Sequence, residues 1–197
     1  MAYDGVIAGL GNPGARYEAT RHNCGFLVVD ALVAYWLHAP GTSCSFRDGQ
    51  LAQAWDVGED YGSRRWLVLK PMTYMNLSGQ ALARPVRKHG ISPQQVLVLH
   101  DELDLPLGTV RFKAGGGLAG HNGLKSVAET LGSRDFVRLR IGIGRPPAGM
   151  PGADYVLQPF SPGERGVLQE SVALARDAVL RYCAHGLEAA TRWLHSR

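Results

Sequence analysis

The sequence predicts a three-layer α/β domain, with a twisted, mixed and largely parallel sheet flanked by helices. Two observations carry this expectation: short apolar runs bounded by Gly, Pro or Asp recur along the chain, and longer helical stretches fill the gaps between them. Gly5-Val6-Ile7-Ala8-Gly9-Leu10 is apolar at successive positions, as a strand covered on both faces should be. Phe26 to Leu37 is apolar nearly all round and reads as a buried helix. Trp66-Leu67-Val68-Leu69 is the next strand, Ser78 to His89 the next helix, and Val96-Leu97-Val98-Leu99 the strand after it. Leu124 to Leu131 then reads as a helix, Phe136 to Ile143 as a strand, and Gly166 to Cys183 and Leu187 to Leu194 as closing helices. Pro146 to Gly152 (PPAGMPG) is a loop, and no internal repeat is visible.

Composition narrows the function classes. A chain of 197 residues, 45% hydrophobic and 19% charged, supports one buried core and is short for two ordinary domains, so residues 1–197 are expected to form a single domain. The opening MAYDGVIAGLGNPG lacks the basic and long apolar regions of an export signal. No apolar stretch approaches the ~18 residues of a membrane span, so a cytoplasmic protein without a membrane partner is expected. Cys24, Cys44 and Cys183 are odd in number and widely spaced, which argues against a disulfide framework or a zinc site; no metal or other cofactor is expected. The formal net charge is +4, yet Arg111, Lys113, Lys125, Arg134, Arg138, Arg140 and Arg145 face only Glu129 and Asp135 in one segment. That local excess reads either as a solvated face or as a phosphate-backbone footprint.

Gly9-x-Gly11-x-x-Gly14 after a strand, with Asp30 further on, formally matches a dinucleotide-binding fingerprint. Pro13 removes a backbone N–H from the turn that would cradle a pyrophosphate, and the helix is delayed until after Gly25. Asp30 falls within a helix, away from the end of a second strand where a ribose-binding acid belongs. The glycines are better read as a tight turn presenting Asn12 at the carboxyl end of a strand, where open α/β sheets gather their sites.

Other polar residues occupy equivalent places. His22 lies in RHNCG, Asn76 in KPMTYMNLSG, Asp101 ends the strand VLVLHDELDLP, and His121-Asn122 follow GGGLAG at the head of a helix. Each alone reads equally as a cap, a turn former or a core residue. Together, one imidazole, one strand-end carboxylate and three amides suit hydrolysis by activated water. Other hydrolytic devices are missing: there is no GxSxG, no HExxH and no Walker loop, and Ser78 or Thr73 would need a base beside it.

GLGNPGARYEATRHNCGF, KPMTYMNLSG, HDELDLPLG, GGGLAGHNGLKS and RLRIGIGRP resemble the five signature blocks of bacterial peptidyl-tRNA hydrolase, in the family's order. The resemblance implies a monomeric α/β fold and a place in translation and ribosome rescue, through cleavage of the ester joining a peptide to the 3′ ribose of tRNA. It implies His22 as general base, Asp101 as the carboxylate orienting it, and Asn12, Asn76 and Asn122 as amides holding water and peptide. An imidazole with a partly neutral population near pH 7 can take a proton from water, and a carboxylate on its other nitrogen fixes the tautomer. Tyr17 matches the family tyrosine of the first block and Met75 an apolar wall; either is equally a core residue.

Lys113 and Arg140 match the pair that clamps the 5′ phosphate of tRNA in relatives, with Lys125 and Arg138 as further candidates for tRNA contact. Leu118 in the glycine loop and the lysine-free PPAGMPG loop depart from the family pattern. The same fold also serves RNA binding without catalysis, so a non-catalytic RNA-binding relative is the alternative. The presence of the His, the Asp and all three Asn favours the enzyme, because a binding module needs no base.

Overall fold

The computed structural model describes residues 2–59 and 64–197. Its seven strands are β1 (Gly5–Gly9), β2 (Thr42–Asp48), β3 (Ala52–Glu59), β4 (Arg65–Pro71), β5 (Val96–Glu102), β6 (Val110–Ala114) and β7 (Val137–Gly142). They form one sheet in the order β2-β3-β4-β1-β5-β7-β6. Pairings of β1 with β4 and β5, and of β5 with β7, are parallel, while β2-β3, β3-β4 and β6-β7 are antiparallel. The predicted α/β class therefore stands, with a parallel centre and antiparallel flanks.

The helices are α1 (Cys24–Trp36), α2 (Ser78–His89), α3 (Asn122–Leu131), the short α4 (Gly152–Tyr155) and α5 (Arg165–His195). α5 breaks at Gly186, where φ is 79°, so its two limbs correspond to the two closing helices expected from sequence. α1 and α5 cover one face of the sheet through Val28, Leu32, Ala178 and Tyr182 against Ile7, Leu97 and Leu99. α2 and α3 cover the other through Leu82 and Leu124 against Val6, Ala8, Val96 and Val98. Successive residues of β1 and β5 thus feed opposite cores, which explains the unbroken apolar runs of the central strands.

Two glycines set how closely α1 approaches the sheet. A Cβ on Gly9 would lie 2.3 Å from the Gly25 carbonyl oxygen, and one on Gly25 would lie 2.3 Å from the Leu10 nitrogen. This close approach, with no bound phosphate required, accounts for the first half of the Gly9-x-Gly11-x-x-Gly14 pattern. Asp30 sits on α1 and pairs with Lys70 Nζ at 2.7 Å, so it does not stand at a strand end.

Candidate active site

The site lies at the carboxyl ends of β1 and β5. The turn after β1 carries Asn12, a 3-10 turn at Arg21–Asn23 carries His22 into α1, and β5 ends in His100, Asp101 and Glu102, all buried. His22 Nδ1 lies 2.9 Å from Asp101 Oδ1 although 79 residues separate them in sequence. His121 Nε2 reaches the same oxygen at 3.1 Å, and the two imidazole centroids are 4.9 Å apart. A cavity of about 250 Å³ opens over this group, lined by His22, Asp101, His121 and Asn122 and walled by Gly152 and Val156.

The hydrogen bonds fix the protons. His121 Nδ1 accepts from the backbone N–H groups of Gly123 and Leu124, capping α3. Its ring proton therefore sits on Nε2 and is donated to Asp101. His22 donates Nδ1–H to the same carboxylate, which leaves Nε2 as the lone-pair nitrogen, with no protein partner among the described residues. Burial pushes the Asp101 carboxyl upward, but the two imidazoles, through charge and N–H donation, outweigh it and hold the group far below the ordinary carboxylate range. Asp101 is an anion at any working pH. Burial, followed by the neighbouring His121, pushes His100 down to about 3; its Nδ1 lies 2.7 Å from the Asp101 carbonyl oxygen, so it is a neutral ring donating to that carbonyl.

His22, Asp101 and His121 offer three ligand-type atoms within 4.8 Å of one another, the one such group among the described residues. The proton placement does not suit a metal. An ion here would have to displace both ring protons aimed at Asp101, and His121 would then need a proton on the nitrogen that caps α3. The group is set for proton handling.

Asn12 is anchored at three points. Its Oδ1 accepts from Met75 N at 2.8 Å, its N–H donates to Asn23 Oδ1 at 2.9 Å, and its carbonyl accepts from Asn23 Nδ2 at 3.0 Å. With the carbonyl end committed, the side chain presents its NH₂ as the free end. Asn76 is exposed on the 3-10 turn Met75–Leu77, and Asn122 is exposed as the first residue of α3. The Asn12–Met75 bond joins the Asn76 turn to the Asn12 turn, while Asn122 follows His121. Met75 is buried in the core between α2 and α3, which favours packing over an exposed wall. Tyr17 is half-buried on the outer 3-10 turn, edge-on to Tyr74 with centroids 6.5 Å apart.

A second clamp steadies the His22 turn. The Arg21 guanidinium lies between the Tyr155 and Phe160 rings, 4.3 and 4.6 Å from their centroids, and pairs with Glu164 at 2.7 Å. That bond, more than the opposing partial burial, draws the Glu164 carboxyl down to about 2. The backbone N–H groups of Arg21 and His22 donate to the carbonyls of Gln158 and Val156. The segment after the PPAGMPG loop thereby holds the His22 turn and forms one wall of its cavity. The sequence alone points to no role for Arg21, Asn23 or the His121 bridge; the one available signal is His121 standing before a helix, at a capping position.

The basic residues divide. Lys113 is exposed on the edge strand β6, and Arg140 is half-buried on β7, with Nη1 3.9 Å from Glu102. The register Arg111↔Arg140 and Lys113↔Arg138 makes Lys113 and Arg140 diagonal neighbours. Lys125 is exposed on α3 and borders a groove shared with Arg134 and the glycine loop. Arg138 is a correction: it is 1% exposed and donates to the carbonyls of Gly117, at 2.7 Å, and Gly115. Its charge holds the glycine loop from beneath, out of reach of a phosphate. Leu118 in that loop is buried in the α2–α3 core and anchors it from the other end.

The family model described as Peptidyl-tRNA hydrolase matches residues 6–197. A relative named peptidyl-tRNA hydrolase from Oleidesulfovibrio alaskensis is 45% identical over 199 residues, covering 100% of this chain and 98% of the relative. Another of that name, from Nocardia farcinica, is 46% identical over 190 residues, covering 96% of this chain and 95% of its own length. The crystal structure of peptidyl-tRNA hydrolase from Acinetobacter baumannii superposes with a TM-score of 0.86 at 31% identity, covering 98% of this chain and 96% of that one.

Proposed function

This chain belongs to the peptidyl-tRNA hydrolase family, and from that premise we propose that His22 is the base of its reaction, with Asp101 orienting it. The reaction is cleavage of the ester between peptide and tRNA. His22 Nε2 takes a proton as water oxygen bonds to the ester carbonyl carbon. The carbonyl oxygen becomes an oxyanion, and the free Asn12 NH₂ is suited to meet it, while Asn76 and Asn122 hold the water and peptide. The intermediate collapses with loss of the ribose oxygen, which takes the proton back from the His22 imidazolium. Asp101 stays ionised and stabilises that imidazolium. Because an alcoholate leaves more readily than an amide nitrogen, this machinery opens the ester and spares the peptide bonds.

The observation that supports this reading most is the proton placement: Asp101 receives N–H from two rings, and His22 keeps its other nitrogen free. A non-catalytic RNA-binding relative is not favoured, since such a module has no use for an oriented base. The test is incubation of an N-acetyl-aminoacyl-tRNA with the purified protein in EDTA. Free tRNA should be released at an undiminished rate, and metal-dependent release, or a persisting ester, would overturn the reading.

Within it, the whole chain acts in the cytoplasm as one catalytic domain and as a monomer, with the acceptor stem as its partner. No helix of the described residues is long and apolar enough to cross a membrane. Lys113 and Arg140 grip a stem phosphate, with Lys125 nearby. Replacing Lys113 and Arg140 together by Ala should weaken tRNA-substrate affinity and flatten the log–log salt dependence by roughly 0.9 for each phosphate that is no longer neutralised. An N-acylaminoacyl ester of adenosine, which ends before the clamp, should turn over nearly as before. Paired kcat/KM measurements across a salt series check this, and equal decreases on both substrates would contradict it.

A further inference from the structure

Peptidyl-tRNA brings an upstream peptide as well as an ester, and the surface beside Asn76 offers a groove of about 420 Å³ between α2 and the β2–β3 hairpin. Leu67, Leu69 and Ala81 supply an apolar floor, Arg47, Arg84 and Lys88 line it, and among the described residues no Asp or Glu does. Arg47 also pairs with Asp56 at 3.1 Å, whereas Arg84 and Lys88 have no ion pair among the described residues. The hairpin that forms one side of the groove is joined to the segment that carries Asn76. Met72 N donates to Leu51 O at 2.8 Å and Ala52 pairs with Pro71, tying the hairpin tip to the segment that leads into Asn76.

Gln80, Arg84 and Lys88 recur every fourth residue on α2, are all exposed and line the groove, and α2 starts two residues after Asn76. From Asn76 to Arg84 is roughly 12 Å along a helix, the length of about four residues of extended peptide.

We propose that this groove holds the upstream part of the nascent peptide, and that Arg84 and Lys88 select for an Asp or Glu about four residues before the ester. The inference rests on the peptidyl-tRNA hydrolase reading and adds a charge preference to it. The ligand chemistry is an extended, acidic peptide already tethered at its carboxyl end, so even weak contacts act at high effective concentration.

The experiment compares one tRNA carrying hexapeptides with Asp, Ala or Lys four residues before the ester, alongside the N-acetyl-aminoacyl form as a reference that never reaches the groove. Exposed ion pairs are individually weak, so the wild-type kcat/KM for the Asp peptide should exceed that for the Lys peptide by about three- to tenfold at low salt, and by less at high salt. In Arg84→Glu/Lys88→Glu the order should invert. A wild-type Asp-to-Lys ratio near one, or the same ratio in wild type and double variant, would overturn the groove assignment while hydrolysis of the reference upholds the activity. Failure of the wild type on every substrate, the reference included, would overturn both.

Discussion

His22→Ala should lose roughly 10²–10⁴-fold in kcat/KM on N-acetyl-aminoacyl-tRNA, the range expected when a general base is removed. The loss should fall on kcat with little change in KM, because His22 acts on water rather than gripping the substrate. Asp101→Asn should fall less far: an amide still occupies the position beside Nδ1, but it neither balances the imidazolium nor enforces the tautomer that leaves Nε2 free. The variants should remain folded, since His22 is held mainly by backbone bonds to Val156 and by the Arg21–Glu164 pair. Steady-state kinetics of the two variants beside wild type, with thermal unfolding as a control, read both effects. Near-normal turnover by His22→Ala would return His22 to the role of a structural histidine.

Gly25→Ala should destabilise the fold by an amount near the top of the ~1–3 kcal/mol usual for overpacking. Helix propensity alone argues the opposite, since Ala is favoured over Gly inside a helix by about 1 kcal/mol. Sterics decide the sign: the new methyl would lie 2.3 Å from Leu10 N, 2.4 Å from Leu99 O and 2.5 Å from Leu10 O, all backbone atoms of the site's floor. α1 must lift off the sheet, and the turn carrying His22 must move with it, so activity should fall together with stability. For a chain of this size the melting temperature should drop by about 6–12 °C. Gly166→Ala is the counterpart: it lies in the first turn of α5 with nothing within 4 Å of the added carbon, so it should leave stability unchanged or raise it. A Gly25→Ala protein as stable as wild type would show that the approach of α1 to β1 is not what fixes His22.

The central layer of the fold is legible in the sequence because β1, β4 and β5 are covered on both faces and therefore read as unbroken apolar runs, while β7 (VRLRIG) alternates arginine with apolar residues packed into the α1–α5 core. β2, β3 and β6 lie at or near the sheet edges, where exposed faces dilute the pattern: β2 is TSCSFRD and largely exposed, and its residues give no strand signal. α2 matches its predicted limits despite the internal Pro85, since its buried residues Ser78, Ala81 and Leu82 keep helical spacing.

At the site, Asn12, His22, Asp101 and Asn122 can be picked out because strand ends and helix heads are where an open α/β sheet exposes chemistry. What spacing cannot reveal is which carboxylate oxygen two distant rings share, or that Asn23 folds back to lock Asn12. Arg138 shows the limit of charge counting. It stands two residues from Arg140 on the same strand, yet the glycine loop closes over it and turns a phosphate candidate into a structural donor.

Chemical rescue of His22→Ala by free imidazole tests whether the His22 ring is the base that activates water. Removing the ring leaves a cavity beside Asp101 and His121 that a small imidazole can enter, donate to the carboxylate and present its second nitrogen to water. Added imidazole should restore a measurable part of the missing kcat/KM in His22→Ala, and the restored rate should follow the unprotonated fraction of imidazole as pH is varied, while wild type gains nothing. A His22→Ala enzyme that stays inactive at saturating imidazole, or is restored equally by imidazolium, would contradict a base at this position.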